Sequence, residues 1–592
     1  MKNKINNLKI INTDILIIGG GGAGLRAAIE AYDNRINNAK IIIVSKSLPG
    51  KAHTVMAEGG IAASLGDVDD KDNWKVHFSD TFKEGVYLGN YKMIEILVKE
   101  APERVYELEK YGALFDRTKE GKIMQRAFGA HTYKRLCHIG DKTGMEIIRV
   151  LEDQVLKRNI EFLDELQITK IFKHENKIIG AIGLDLKSGN FILINCRAII
   201  LASGGCGRLY KTTSNSLETT GDGLAMAYDI GCELIDMEMV QFHPTGMVYP
   251  LGVKGLLVTE GIRGEGGILL NNKNERFMKK YSPKRMELDA RDVVARAIYN
   301  EIKIGNGTEH NGVYLDISHK GASFIKKKLP AMYEQFKEFA DIDITKQKME
   351  VGPTVHYHMG GIKTNPGTCE TNINGLFAAG EVAGGLHGAN RLGGNSLADI
   401  LVFGRRAGLF CSKYINENKR ANFDIMSNLL LKQQINLEIR RINNYLSLYS
   451  FKSLKNKNNN NLVVYELLDL LKSTMNENVE IIRSEKSLKN ALKVINSIKN
   501  QLKNIKVNGT TKYNRGLLAC LELENELKIA NCIIKSAIKR TESRGAHFRS
   551  DFPKTSKLWK KNIICKKQNN SLKLTLVKVP ELSKNLKKIL AD

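Results

Sequence analysis

DILIIGGGGAGLRAAIEAY (residues 14–32) runs from four aliphatic residues through a glycine cluster into a stretch rich in small and apolar side chains. Read locally, Ile15 to Ile18 form a short buried strand, the glycines form a turn, and a helix starts at about Gly24. Gly19-x-Gly21-x-x-Gly24 has the spacing at which a bare backbone lets a pyrophosphate approach the free N–H groups of a helix start. The alternative is a tight strand–helix turn with no ligand. KIIIVSK (residues 40–46) supplies a second β-branched strand at the distance a βαβ unit requires.

An acidic residue for a ribose hydroxyl is expected at the end of that second strand. The strand ends instead in Val44, Ser45 and Lys46, with no carboxylate. This weakens NAD as the ligand and leaves FAD, with Ser45 or a backbone group on the ribose.

Two further strand-then-glycine segments follow, RAIILASGGCGRLY (residues 197–210) and NGLFAAGEVAGGLHGANRLGGNSL (residues 374–397). Their spread predicts an α/β fold in which one Rossmann-like nucleotide-binding domain, residues 10–240 and 352–415, is interrupted by an inserted α+β capping domain, residues 241–351. The insertion carries a helix around ARDVVARAIYNEIK. Beyond it, SNLLLKQQINLEIRRI and SLKNALKVINSIKNQL have apolar positions at helical spacing, predicting a helical domain over 416–540. Within that domain KNKNNNNL (residues 455–462) reads as a solvated loop. A C-terminal domain, residues 541–592, opens on ESRGAHFRSDFP and continues in mixed polar sequence with little periodicity.

The chain has 592 residues and a formal net charge of +26, which invites a nucleic-acid or anionic-surface reading. The lysines are scattered among asparagines, especially late in the chain, and read as solvated surface, so no nucleic-acid partner is expected. Nine cysteines show no CxxC pair and no Cys/His metal spacing, so no iron–sulfur cluster, zinc or other metal is predicted, and the thiols are expected reduced. The opening MKNKINNLKIINTDILIIGG has early lysines, but Asn12, Thr13 and Asp14 break its apolar run, which does not read as a leader. No stretch has the ~18 apolar residues of a membrane span.

GGGGAG, SKSLPGKAHTVMAEGG, QFHPTG, TEGIRGEGG, ARDVVAR, HYHMGG and GLHGANRLGGNSL occur in order, and ESRGAHFRSDFP follows. This pattern closely resembles the flavoprotein subunits of succinate dehydrogenase and fumarate reductase, from about Asp14 to Gly408 and again at the C-terminal motif. The resemblance implies FAD bound covalently at His53, the histidine of the HTV motif. A neutral imidazole is a competent nucleophile near neutral pH; read without the resemblance, His53 is a loop histidine. Further cofactor contacts implied by motif are Gly19, Gly21, Gly24, Ser45, Lys46, Asp222, Glu381, and the backbone N–H groups of Ser396 and Leu397.

For a four-carbon dicarboxylate the resemblance nominates His243, Thr259, His356 and Arg391 as substrate ligands. Arg291 matches the proton-transferring arginine, with Glu260 and Arg263 as its relay. Unaided, His243 before Pro244 also reads as a turn residue, HYH offers His358 as a second candidate, Arg391 reads as a loop cation, and Arg291 as a helix-start salt bridge. A guanidinium ordinarily stays protonated, so the relay must carry the proton through without a free neutral arginine persisting.

The activity implied is succinate oxidation by hydride transfer to covalent FAD, with electrons passing to an iron–sulfur subunit, then to small membrane-anchor subunits holding a quinone site. The implied location is peripheral, on the cytoplasmic face of a bacterial inner membrane. Glu58 in MAEGG stands where fumarate-reductase-like members have glutamate and many succinate dehydrogenases have glutamine, so fumarate reduction stays open. L-aspartate oxidase, whose flavin is not covalently held, is the rival that His53 argues against.

Overall fold

A computed structural model describes residues 8–36, 38–418, 425–447 and 463–591. The expected loop at 455–462 and the opening residues 1–7 lie outside the described residues. Residues 14–32 form the strand Ile15–Ile18 and the helix Gly22–Asp33, which starts two residues before the expected Gly24. A five-stranded parallel sheet has the order Leu376–Ala378, Ala198–Leu201, Ile15–Ile18, Ile41–Val44, Glu161–Leu163. Its three central strands are wholly buried aliphatic runs, as expected of a sheet covered on both faces. Each such side chain stabilises the fold by roughly 1.5–3 kcal/mol through burial.

The strands Val240–Met247 and Met349–His358 pair antiparallel and extend through Val313–Asp316 to Ile268–Leu270. This second sheet has its own core, including Met247, Leu269, Ile298 and Leu315. Its two long strands reach across the expected insertion boundaries, so their far ends, Val240 and His358, lie against the first domain. The helix Arg291–Glu301 packs on this sheet and starts at the site described below.

After helix Asn395–Glu417 come the helices Leu429–Asn443, Val464–Asn478, Glu485–Leu502 and Arg515–Lys539. The C-terminal residues show more order than their sequence suggested. Lys561–Gln568 and Ser571–Lys578 form a hairpin, and its first strand pairs with Leu234–Ile235, more than 300 residues earlier. Between helix and hairpin, Arg540 Nε donates to Glu238 Oε1 at 2.6 Å and Nη1 lies 3.2 Å from Glu542. Arg544 pairs with the same Glu542 at 2.7 Å, and Arg483 Nη1 donates to the Glu238 carbonyl oxygen at 2.7 Å. These groups are fully buried or nearly so. Such a network holds only while each charge keeps its partner; removing one costs about 3–5 kcal/mol.

Candidate active site

A cleft of about 1320 Å3, partly open to solvent, lies at the C-terminal ends of the parallel strands, the usual ligand crevice of such sheets. A Cβ on Gly19 would lie 2.2 Å from the Ala202 carbonyl oxygen, and one on Gly24 1.9 Å from the Gly19 carbonyl oxygen. Those two glycines are demanded by the strand–turn–helix junction itself. Gly21 differs, because a Cβ there meets only Ala52 Cβ at 3.4 Å and Thr54 Oγ1 at 3.6 Å, ordinary contacts. Its missing side chain serves the cleft.

Two hydroxyls on the cleft wall, Ser203 Oγ and Ser216 Oγ, are buried without a hydrogen-bond partner. Glu381 also lines it, accepting the His358 N–H at 2.9 Å, and burial pushes its carboxyl up to about 7. Helix Asn395–Glu417 starts at Gly394, whose φ is +80°, and brings Ser396 and Leu397 to the wall. First-turn N–H groups have no carbonyl within their own helix and suit an anionic ring edge. Unpaired hydroxyls, a bare glycine turn and two helix starts together fit a flavin dinucleotide.

Ser45, Lys46 and Asp222 line the cleft too, but their polar atoms are partly engaged. Ser45 Oγ accepts the Ser47 N–H at 3.2 Å. Lys46 Nζ bonds Thr220 Oγ1 at 2.6 Å, Asp222 at 2.8 Å and Glu522 at 3.0 Å, and Asp222 also accepts from Asn525 at 2.9 Å. This cluster fastens the cleft wall to helix Arg515–Lys539.

His53 begins the short 3-10 turn His53–Met56. Its Nδ1 accepts the Ser216 N–H at 3.3 Å, and Asn215 Nδ2 lies 3.2 Å from Nε2. Burial, then the charge of Arg391, pushes the imidazole down to about 4, so it is neutral at physiological pH. The same Asn215 amide donates to the His356 carbonyl oxygen at 2.9 Å, tying the cleft histidine to the next cluster.

That cluster gathers the predicted substrate residues. The rings of His243 and His356 are 5.2 Å apart. His243 Nδ1 lies 2.9 Å from the Thr245 carbonyl oxygen, and His356 Nδ1 lies 2.8 Å from Ser214 Oγ. Burial and neighbouring positive charge hold both imidazoles well below their ordinary range. His358, the other histidine of HYH, has Nε2 3.0 Å from the Met237 carbonyl oxygen, whereas His356 lies beside His243. Thr259 caps helix Glu260–Gly264 by accepting the Gly261 N–H at 3.3 Å, leaving its hydroxyl hydrogen to donate.

Arg291 Nε donates to Glu260 Oε2 at 2.8 Å, and Arg263 Nη2 lies 3.6 Å from the same oxygen. Burial alone would raise the Glu260 carboxyl, but Arg291 and Arg263 outweigh it and hold it at about 2. Arg391 is 2% exposed, yet among the described residues no carboxylate pairs with it. Its polar contacts are Ser396 Oγ at 3.2 Å and the Leu392 carbonyl oxygen at 3.4 Å; Nε has none, and the guanidinium lies 4.6 Å from the Tyr357 ring centre. Burial and Arg291 push it down to about 9, still cationic at neutral pH. Arg291 and Arg263 share Glu260, whereas Arg391 has no paired carboxylate among the described residues.

Sequence reasoning gave no role to Gln241, whose amide donates to Asn390 Oδ1 and the Arg391 carbonyl oxygen, both at 2.8 Å, and accepts from Arg291 at 3.2 Å. It also passed over Ser214, Asn215 and Tyr357. Gln241 and Tyr357 were visible only as neighbours inside QFHPTG and HYHMGG, and Ser214 and Asn215 lie in no such motif.

Among the described residues no group of His, Cys, Asp and Glu side chains could hold a metal ion, and no helix is long and apolar enough to cross a membrane.

Comparison with known proteins places this geometry. Residues 14–397 match the FAD binding domain family, and residues 469–588 match the family described as fumarate reductase flavoprotein C-term. An uncharacterized FAD-dependent oxidoreductase of Methanocaldococcus jannaschii is 49% identical over 94% of this chain and 96% of its own. A fumarate reductase (CoM/CoB) subunit of Methanothermobacter marburgensis is 45% identical over 94% and 97%, and the succinate dehydrogenase flavoprotein subunit of Coxiella burnetii 39% over 93% of each. Among solved structures, Mycobacterium smegmatis Sdh1 in complex with UQ1 superposes with a TM-score of 0.85 at 44% identity, covering 97% of this chain and 95% of that one.

Proposed function

As the chain belongs to the succinate dehydrogenase and fumarate reductase flavoprotein family, we propose that it is the flavoprotein subunit of a succinate dehydrogenase, oxidising succinate to fumarate. The observation that carries this reading is Arg391, a buried cation with no carboxylate paired to it, in a cluster with neutral His243 and His356, the Thr259 hydroxyl and the Arg291–Glu260 pair. Burying an uncompensated guanidinium is costly, and a ligand bearing two carboxylates removes the cost.

FAD bound in the cleft supplies the hydride acceptor. His53 is its covalent anchor in this reading: Nδ1 accepts the backbone N–H of Ser216, and Nε2, whose neighbour is the side-chain amide Asn215 Nδ2 at 3.2 Å, would take the carbon substituent as that amide moves aside. Arg391 grips one substrate carboxylate in a bidentate fork. His243, Thr259 and His356 hold the other, and the two grips fix which carbon faces the flavin. Arg291 receives the proton from the adjacent carbon. Its Nε–H already points at ionised Glu260, so a proton arriving at the guanidinium is passed on in the same movement to Glu260 Oε2 and toward Arg263. No neutral arginine need persist.

Electrons leave through an iron–sulfur subunit to a quinone held by small membrane-anchor subunits, with this chain peripheral on the cytoplasmic face of a bacterial-type inner membrane. A second reading, fumarate reduction, has two specific supports. The Glu58 carboxyl has one buried unpartnered oxygen and is held well above its ordinary range by burial and Asp141, and the Methanothermobacter marburgensis relative, named for fumarate reductase (CoM/CoB), shares 45% identity.

Purified holoprotein assayed with a soluble redox dye should oxidise succinate and reduce fumarate, and the ratio of the two rates decides the direction. Denatured in acid, the chain should keep its yellow colour; colour released entirely to solution would defeat the anchor at His53. Absence of activity with either C4 acid, alongside turnover of aspartate, would replace the reading with an amino-acid oxidase.

A further inference from the structure

The motif ESRGAHFRSDFP has no part in the site described above, yet it turns back beneath two of that site's elements. On one side the Ala546 N–H donates to the Ala389 carbonyl oxygen at 2.9 Å, two residues before Arg391. Gly545 has φ +53°, and a Cβ on it would lie 2.5 Å from that same oxygen, so only glycine allows this approach. On the other side the Gly545 carbonyl oxygen accepts from Arg296 Nη1 at 2.9 Å. Arg296 belongs to helix Arg291–Glu301, which carries Arg291 at its start. Its guanidinium lies 5.4 Å from the Phe548 ring centre. Its Nη2 pairs with Asp292 at 2.7 Å, and the other Asp292 oxygen accepts from Asn390 Nδ2 at 3.0 Å. Helix, C-terminal turn and Arg391 loop thus close a ring of hydrogen bonds.

The ring has a physical task. Arg291 and Arg391 carry like charges in one buried site and repel each other, more strongly there than in water. They come from different parts of the fold, one from the capping helix and one from the loop before helix Asn395–Glu417. Something must hold the two supports together against that repulsion. Accepting the dicarboxylate reading above, we propose that Arg296 and Gly545 are positioning residues: they latch the helix bearing Arg291 to the loop bearing Arg391, so that the pocket is set to the length of its diacid. Neither touches the substrate. Arg296 is partly exposed, so replacing it does not open the core.

The test uses flavin-loaded Arg296→Met, Arg296→Lys and Gly545→Ala, with malonate as a diacid that cannot be dehydrogenated. The latch predicts that Arg296→Met and Gly545→Ala raise the succinate KM and the malonate Kd about tenfold each and lower kcat about tenfold, with flavin content unchanged. Arg296→Lys, which can still reach the Gly545 carbonyl, should recover most of the loss. Amide hydrogen exchange should rise together in residues 291–301 and 385–397 of Arg296→Met, without malonate. Wild-type KM and kcat in Arg296→Met, or a lowered melting temperature with unchanged KM and kcat, would overturn the latch. A wild-type protein that ignores malonate would overturn the dicarboxylate reading instead; the exchange arm then judges the latch alone, and unchanged exchange in both segments would reject it.

Discussion

Two of the buried arginine clusters among the described residues are opposites. Around Arg540, burial disfavours the cation, but Glu238, Asp236 and Glu542 outweigh it and raise its pKa. Around Arg391, burial is reinforced by Arg291, and the pKa falls to about 9. The first cluster has its counter-charges in place, and its job is to hold the C-terminal segment against the turn at Asp236 and Glu238 and, through Arg483, the helical domain. In the second, Arg391 has no paired carboxylate among the described residues, which the proposed function assigns to a dicarboxylate. A buried arginine therefore reads as structure or as site according to whether its counter-charge is already in the fold.

The sharpest way to separate the clusters is substitution. Arg291→Gln should keep flavin and bind malonate while losing turnover by about 10³-fold, the scale of a lost proton-transfer group; near-normal turnover in a dye assay would reject its role. Arg540→Met leaves Glu238 buried without its cation, Glu542 keeping Arg544, and should cost about 3–5 kcal/mol of stability, read as a lowered melting temperature. Arg391→Met should do the reverse. It removes an uncompensated charge, so the ligand-free protein melts no lower than wild type, while malonate affinity falls about 100-fold, the loss of one strong charge-assisted pair. If both methionine variants melted alike and bound malonate alike, the distinction between the clusters would dissolve.

The smallest effect is one of pH. The Glu381 carboxyl, ordinarily near 4.5, sits at about 7 in the fold, chiefly through burial. Because the folded value is the higher one, the stability it contributes is full below about pH 4.5 and is lost as pH rises through about 7. The loss is at most about 1.4 kcal/mol per pH unit across that window. Melting curves of flavin-free Glu381→Gln should lack that part of the slope between pH 5 and 7. A slope identical to wild type would show that Glu381 ionises normally.

Local physics made part of this legible in the sequence. The aliphatic run Ile15–Ile18, the glycine spacing and the helix after it are determined within one turn of chain, and the structure has them at those residues. Arg391, His243 and His356 come from resemblance; their convergence from a loop and two paired strands depends on contacts over 100 residues apart, which no local pattern contains. The hairpin Lys561–Gln568 and Ser571–Lys578 escapes for the same reason. Leu572, Leu574 and Leu576 do alternate, with Ser571, Lys573, Thr575 and Val577 on the other face, but what fixes the first strand is pairing with Leu234–Ile235. Lys46 reads as a nucleotide contact because of its place after the second strand; its bonds reach Asp222, 176 residues later, and Glu522, 476 residues later.

The central claim is that the flavin cleft ends in a pocket charged for a diacid. Its most direct test titrates the wild-type holoprotein with fumarate and with crotonate, the same carbon skeleton with a methyl group in place of one carboxylate, while following the flavin absorbance. Fumarate should perturb the flavin saturably and crotonate should bind at least about 100-fold more weakly. Equal affinities for the two acids, or a flavin indifferent to both, would contradict the account.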